Sequence, residues 1–93
     1  MQDELRKAGF TIKAGVAGMP TAFVASYRSG QGPVIGVLAE FDALPGLSQA
    51  AQPHKTPQPG LANGHGCGHN LFGAASVAAA IAIKDWMIAN KVG

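Results

Sequence analysis

The run Val34-Ile-Gly-Val-Leu-Ala39 constrains the fold more than any other part of the chain. Its apolar residues are continuous, with none of the polar alternation of a half-solvated strand. Such a run predicts a strand covered on both faces, as in an α/β sheet flanked by helices. The preceding segment, Thr21 to Tyr27, is rich in β-formers and ends at Arg28-Ser-Gly-Gln-Gly-Pro33. That turn signal predicts that the two runs are neighbouring strands. Upstream, Asp3 to Ala8 reads as the last turns of a helix stopped at Gly9, and Phe10 to Ala14 as a short strand followed by a turn at Gly15, Gly18 and Pro20. A helix with almost nothing before it is the expectation for a truncated domain. Downstream, Asn70 to about Ala89 is alanine-rich and predicts a long helix.

Between these elements, Ala43 to His65 carries four prolines and no periodicity. A stretch that long without regular structure points to a functional or disordered loop. The chain has 93 residues, 47% of them hydrophobic and 13% charged, so it belongs to the folded class and forms one small domain at most. Its apolar content is high for that length. The surface is therefore expected to need cover from something outside these residues.

Several function classes drop out. The net charge of +2 is spread over Arg6, Lys7, Lys13, Arg28, Lys55, Lys84 and Lys91, with no run or stripe that would bind nucleic acid. One cysteine, Cys67, excludes an internal disulfide. The charged start lacks the apolar core of a signal peptide. The longest apolar stretch, Leu71 to Ile83, is thirteen residues against the roughly 20 of a membrane span, so it reads as a buried helix and no membrane partner is expected. A reducing, cytoplasmic setting fits these features. Met19, Trp86 and Met87 read as packing residues.

Two clusters carry candidate chemistry. Glu40 and Asp42 end the apolar run two residues apart, so in a strand both carboxylates leave the sheet on one side. Ligands in open α/β sheets sit beyond the carboxyl ends of strands, which suits metal or proton chemistry. The plainer reading, solvated acids where a strand meets a loop, carries equal weight. The second cluster is His65-Gly-Cys67-Gly-His69. Thiolate and imidazole suit zinc and similar ions, and interleaved glycines permit unusual backbone angles and close approach of an ion. Against this, a bare Cys-x-His pair is a weak signal, Cys67 also reads as a small buried hydrophobe, and His65 reads better as a hydrogen-bonded loop residue than as a ligand. A Cys67 nucleophile needs a base across from it, and His65 and His69 stand too near in sequence for that role, leaving only His54 in the loop. The dinucleotide fingerprint fails because His69 stands where its third glycine belongs.

With Glu40-Phe-Asp-Ala-Leu-Pro-Gly-Leu-Ser48 and Asn63-Gly-His-Gly-Cys-Gly-His-Asn70 both in view, the chain resembles the aminoacylase/carboxypeptidase family of co-catalytic metallopeptidases. Within it, the chain is most similar to the aminobenzoyl-glutamate and N-acyl-amino-acid amidohydrolase branch, and the likeness runs from Ala8 to Trp86. The resemblance implies an α/β fold, with a partial mixed sheet and flanking helices, as the N-terminal part of a zinc-peptidase-like catalytic domain. Residues 1–93 are then an incomplete catalytic domain without the family's dimerisation domain. It also implies two divalent ions, zinc or manganese, with Cys67 and His69 as ligands and Asp42 supporting a ligand histidine. Glu40 stands where the carboxypeptidase branch has a histidine ligand. Asn70 replaces an aspartate common in relatives, which puts an acid role there in doubt. The implied reaction is metal-assisted hydrolysis of N-acyl or N-aroyl amino acids or short peptide-like substrates, in relatives that form homo-oligomers. The general-base glutamate has no counterpart here, so the chain alone is expected to be inactive. The alternative reading is a non-catalytic metal-binding or interaction module built on the same fold.

Overall fold

The computed structural model describes all residues from Met1 to Gly93. They form two compact units, one of Met1–Val37 with Ser76–Gly93, the other of Leu38–Ala75.

The first unit opens with helix α1, Gln2–Lys7. Asp3 and Glu4 lie in its first turn and Arg6 and Lys7 in its last, a distribution that complements the helix dipole. Arg6 bonds Asp3 at 2.8 Å and Lys7 bonds Glu4 at 3.1 Å, pairs one turn apart on the surface. The helix ends in a Schellman motif at Gly9, whose φ is 90°. The Gly9 N–H donates to the Arg6 carbonyl and the Phe10 N–H to that of Leu5. Leu5 points inward and is the one buried hydrophobic residue.

Strand β1, Thr11–Ala14, pairs antiparallel with β2, Phe23–Ser26, in a register of Thr11 with Ser26 and Ala14 with Phe23. The connection is closed by the Gly15 N–H donating to the Ala22 carbonyl, and Gly15, Ala17 and Gly18 all take left-handed angles. The rings of Phe10 and Tyr27 meet at 5.8 Å, and the Lys84 ammonium lies 5.6 Å from the Tyr27 ring centre.

Here the structure departs from the sequence. Both early strands form, but β2 pairs with β1, and Val34–Ala39 carries no regular secondary structure. Its side chains are exposed, Val34 at 98% and Leu38 at 74%. The turn before it explains part of the difference. Arg28 donates to the Gly30 carbonyl and to the Gln31 side chain, while the Ser29 hydroxyl bonds the Val92 carbonyl. The turn is thus tied to the end of the chain rather than folded back as a hairpin. Without a ladder and two covering layers, an all-apolar strand has nothing to stabilise it.

Helix α2, His69–Ala89, matches the expected alanine-rich helix and begins in the second unit. Its less exposed positions are His69, Gly73, Ser76, Val77, Ala80, Ile81, Lys84 and Met87, a single stripe at helical spacing. Elsewhere it is open, with Leu71 70% and Trp86 58% exposed. The expected buried helix and the packing roles for Trp86 and Met19 are therefore corrected. No second layer covers that face, and Met19 is also largely exposed. The thirteen-residue apolar stretch lies inside a longer helix. The 21-residue helix is long and apolar enough to cross a membrane by length and composition, criteria that core helices of soluble proteins also meet. At its end the Lys91 N–H donates to Ile88 and the Val92 N–H to Met87, another Schellman turn, with Lys91 at φ 52°.

The second unit is held by a two-residue bridge, β3 (Leu44–Pro45) antiparallel to β4 (Asn63–Gly64). Between them the proline-rich loop is organised around one side chain. The Gln49 amide donates to the carbonyls of His54 and Gln52, and its oxygen accepts from the Thr56 N–H at 2.8 Å. The Ser48 hydroxyl accepts from the Gln58 N–H. The architecture is thus small antiparallel sheets with helices, compatible with a mixed α/β class.

Candidate metal centre

The β3–β4 bridge positions the site. Asp42 stands two residues before β3, and His69 five residues after β4, so pairing Leu44 with Gly64 brings the two motifs together across a separation of 27 residues. Glycine is required at the crossing. A Cβ on Gly64 would lie 1.8 Å from the Leu47 carbonyl oxygen, and one on Gly66 would press the Leu47 side chain. These two glycines therefore admit the chain's own backbone and side chain. Gly68 has the unusual backbone angle, φ 80°, and its carbonyl accepts from the N–H groups of Leu71 and Phe72 to start α2. His69 is fixed as the first residue of a long helix.

The His69 imidazole lies between two carboxylates. Its Nδ1 is 2.8 Å from Asp42 Oδ1, and its Nε2 is 3.3 Å from Glu40 Oε2. The ring is mostly buried, with 18% of the side chain exposed, while Glu40 and Asp42 reach in from solvent. The hydrogen bond with His69 holds the Asp42 carboxyl below its ordinary value of 3.8, helped by a backbone N–H of its own.

Ligand atoms of Glu40, Asp42 and His69 all lie within 4.8 Å of one another. Two of the three residues singled out from the sequence as site residues, Asp42 and His69, therefore meet directly. The third, Cys67, is exposed and stands outside this group, so it is not the buried hydrophobe of the plainer reading. His65 is exposed and lends its backbone carbonyl to the Gly68 N–H. Glu40 joins the group too; the sequence offers both acids for metal or proton chemistry, while the resemblance implies ligand roles only for Cys67 and His69. Its position two residues from Asp42 was the available signal.

The group offers one mostly buried imidazole and two carboxylates as possible donors to a cation. Comparison with known proteins finds a relative for most of the chain. Over 86 residues, 89% of this chain, it is 55% identical to one of the subunits of p-aminobenzoyl-glutamate hydrolase from Escherichia coli (strain K12). The chain spans 17% of the length of that relative. The likeness read from the two motifs thus extends over most of these residues. No protein-family model matches the chain, and no solved structure matches it significantly.

Proposed function

We propose that these residues form one segment of a metal-dependent amidohydrolase that cleaves the amide bond of N-acyl or N-aroyl amino acids, with p-aminobenzoyl-glutamate the first substrate to test. The observation that carries this reading is the 55% identity to a hydrolase of that name. The Asp42–His69 contact supports it, because a ligand histidine characteristically gives its second nitrogen to a carboxylate. The relative is named as a subunit, so the working assembly is proposed to include further chains. A cytoplasmic setting is part of the proposal.

In this reading His69 and Cys67 hold divalent metal, zinc or manganese, and Asp42 fixes the ring of His69. Two such ions would supply Lewis acidity to the scissile carbonyl and to the water needed for hydrolysis. This chain's own contribution is orientation. With Nδ1–H donated to Asp42, the imidazole is held as the tautomer that keeps a lone pair on Nε2 for a ligand bond. The start of α2 and the β3–β4 bridge keep that nitrogen in place.

The direct test replaces the matching segment of the Escherichia coli relative with this chain and assays release of p-aminobenzoate. The chimera is expected to hydrolyse the substrate and to lose activity with His69→Ala or Cys67→Ala. A folded chimera without hydrolysis rejects the reading. The 93-residue chain by itself is expected to show no turnover, since it spans 17% of the relative's length and the one glutamate near His69, Glu40, is engaged with that ring.

A further inference from the structure

We propose that Glu40 is a metal ligand, binding through its carboxylate the same cation that His69 holds at Nε2. The inference rests on the functional reading above and adds a donor that neither the motif resemblance nor the comparison assigns.

The two contacts of His69 differ in a way that separates their roles. The 2.8 Å between Nδ1 and Asp42 is the length of a charge-assisted hydrogen bond. The 3.3 Å between Nε2 and Glu40 Oε2 is long for one. It does match another distance. Two ligands about 2.0–2.1 Å from a tetrahedral ion stand roughly 3.3 Å apart, the edge of the tetrahedron.

Proton counting points the same way. A neutral imidazole has one N–H and one lone pair. Asp42 accepts the N–H at Nδ1, which leaves the lone pair on Nε2, and that nitrogen lies 3.3 Å from an oxygen of Glu40. Two acceptors at that distance repel unless a positive charge lies between them. A divalent cation there binds both, and Asp42 then completes a carboxylate–histidine–metal relay. An additional proton on the ring is the competing way to satisfy the pair, and the experiment separates the two.

Nothing else engages the Glu40 carboxylate in an ion pair, and about half of the side chain is exposed, so it is free to adjust around an ion. With Asp42 and Glu40 two residues apart and one residue of α2 between them in space, a single imidazole is read by both acids.

The test is titration of the full chain with Zn²⁺ and with Mn²⁺ by calorimetry, in wild type, Glu40→Gln, Asp42→Asn and His69→Ala. Glu40→Gln is chosen because its amide oxygen still accepts a hydrogen bond from an imidazole but lacks the anionic donor. Losing a partner outside the coordination sphere costs about 10- to 100-fold in affinity, so Asp42→Asn is expected in that range and Glu40→Gln at roughly 100-fold or beyond. His69→Ala is expected to abolish binding. Nitrogen NMR of the zinc-loaded wild type is expected to move the His69 Nε2 resonance and leave Nδ1 protonated. Glu40→Gln affinity within about twofold of wild type overturns the proposal. So does metal at Nδ1, or a wild-type chain that takes up neither ion and shows a doubly protonated ring. The chimera assay of the functional reading is independent: hydrolysis there with unchanged Glu40→Gln affinity removes Glu40 while keeping the amidohydrolase.

Discussion

At the scale of single residues, His69 and Asp42 report on each other. The hydrogen bond to the ring holds the Asp42 carboxyl below its ordinary value of 3.8. A carboxyl depressed in the folded chain contributes stability above its unfolded value, and loses it as pH falls through the lower folded value. The Asp42–His69 contact is therefore expected to persist through the usual carboxylate range and to fail only in stronger acid. Carbon NMR of the Asp42 carboxyl across an acid titration reads this directly. In His69→Ala the midpoint is expected to rise toward 3.8, and an unchanged midpoint would contradict the contact. Much of this pair was legible in the sequence. The sequence paired the two acids through a strand that does not form, and what holds of the pairing is their shared contact with the histidine that the second motif supplied. What the spacing could not show is which ring nitrogen meets which acid, or that Cys67 stands apart, because both depend on how Gly68 turns the chain into α2.

Elements are controlled by their ends, and the sequence announced some ends better than others. Gly9 was readable as a stop because only glycine takes φ 90° without strain. The second Schellman turn was not readable, since a lysine occupies the left-handed position at its centre. Lys91→Gly should relieve that conformation and stabilise the end of α2 by about 0.5–1 kcal/mol, partly offset by the greater freedom of glycine in the unfolded chain. Thermal melts followed by helix circular dichroism would show the gain, whereas a loss would mean the lysine side chain contributes more than the strain costs. Gly64 makes the opposite case. With the Leu47 carbonyl in the place of its missing Cβ, Gly64→Ala should force β3 and β4 apart. Helix content should hardly change, yet the Asp42 carboxyl should titrate as though His69 were absent. A retained low midpoint would show that the bridge does not position the site. The expected strand at Val34–Ala39 failed because apolarity specifies burial but not the partner that provides it, and the Arg28–Gln31 turn is bonded elsewhere.

For the molecule as a whole, the same segment sets the behaviour in solution. Leu5 is the only buried large hydrophobic residue, while Val34, Ile35, Val37 and Leu38 are all exposed. Burying one such side chain contributes about 1.5–3 kcal/mol, so the four together offer a strong drive toward any surface that can cover them. They are β-prone and uncharged from Pro33 to Ala39, the composition that templates strand pairing between chains. The isolated chain is therefore expected to associate as its concentration rises, through this segment rather than through the site. Sedimentation velocity over a concentration series measures it. The double variant Val34→Lys, Val37→Lys should place charge where a second strand would dock and shift the population to monomer. Because neither residue belongs to the group around His69, the Asp42 midpoint should stay where it was. Association that persists in the double variant would instead assign it to the open face of α2, where Leu71 and Trp86 lie exposed, and substitution of those two residues would then abolish it.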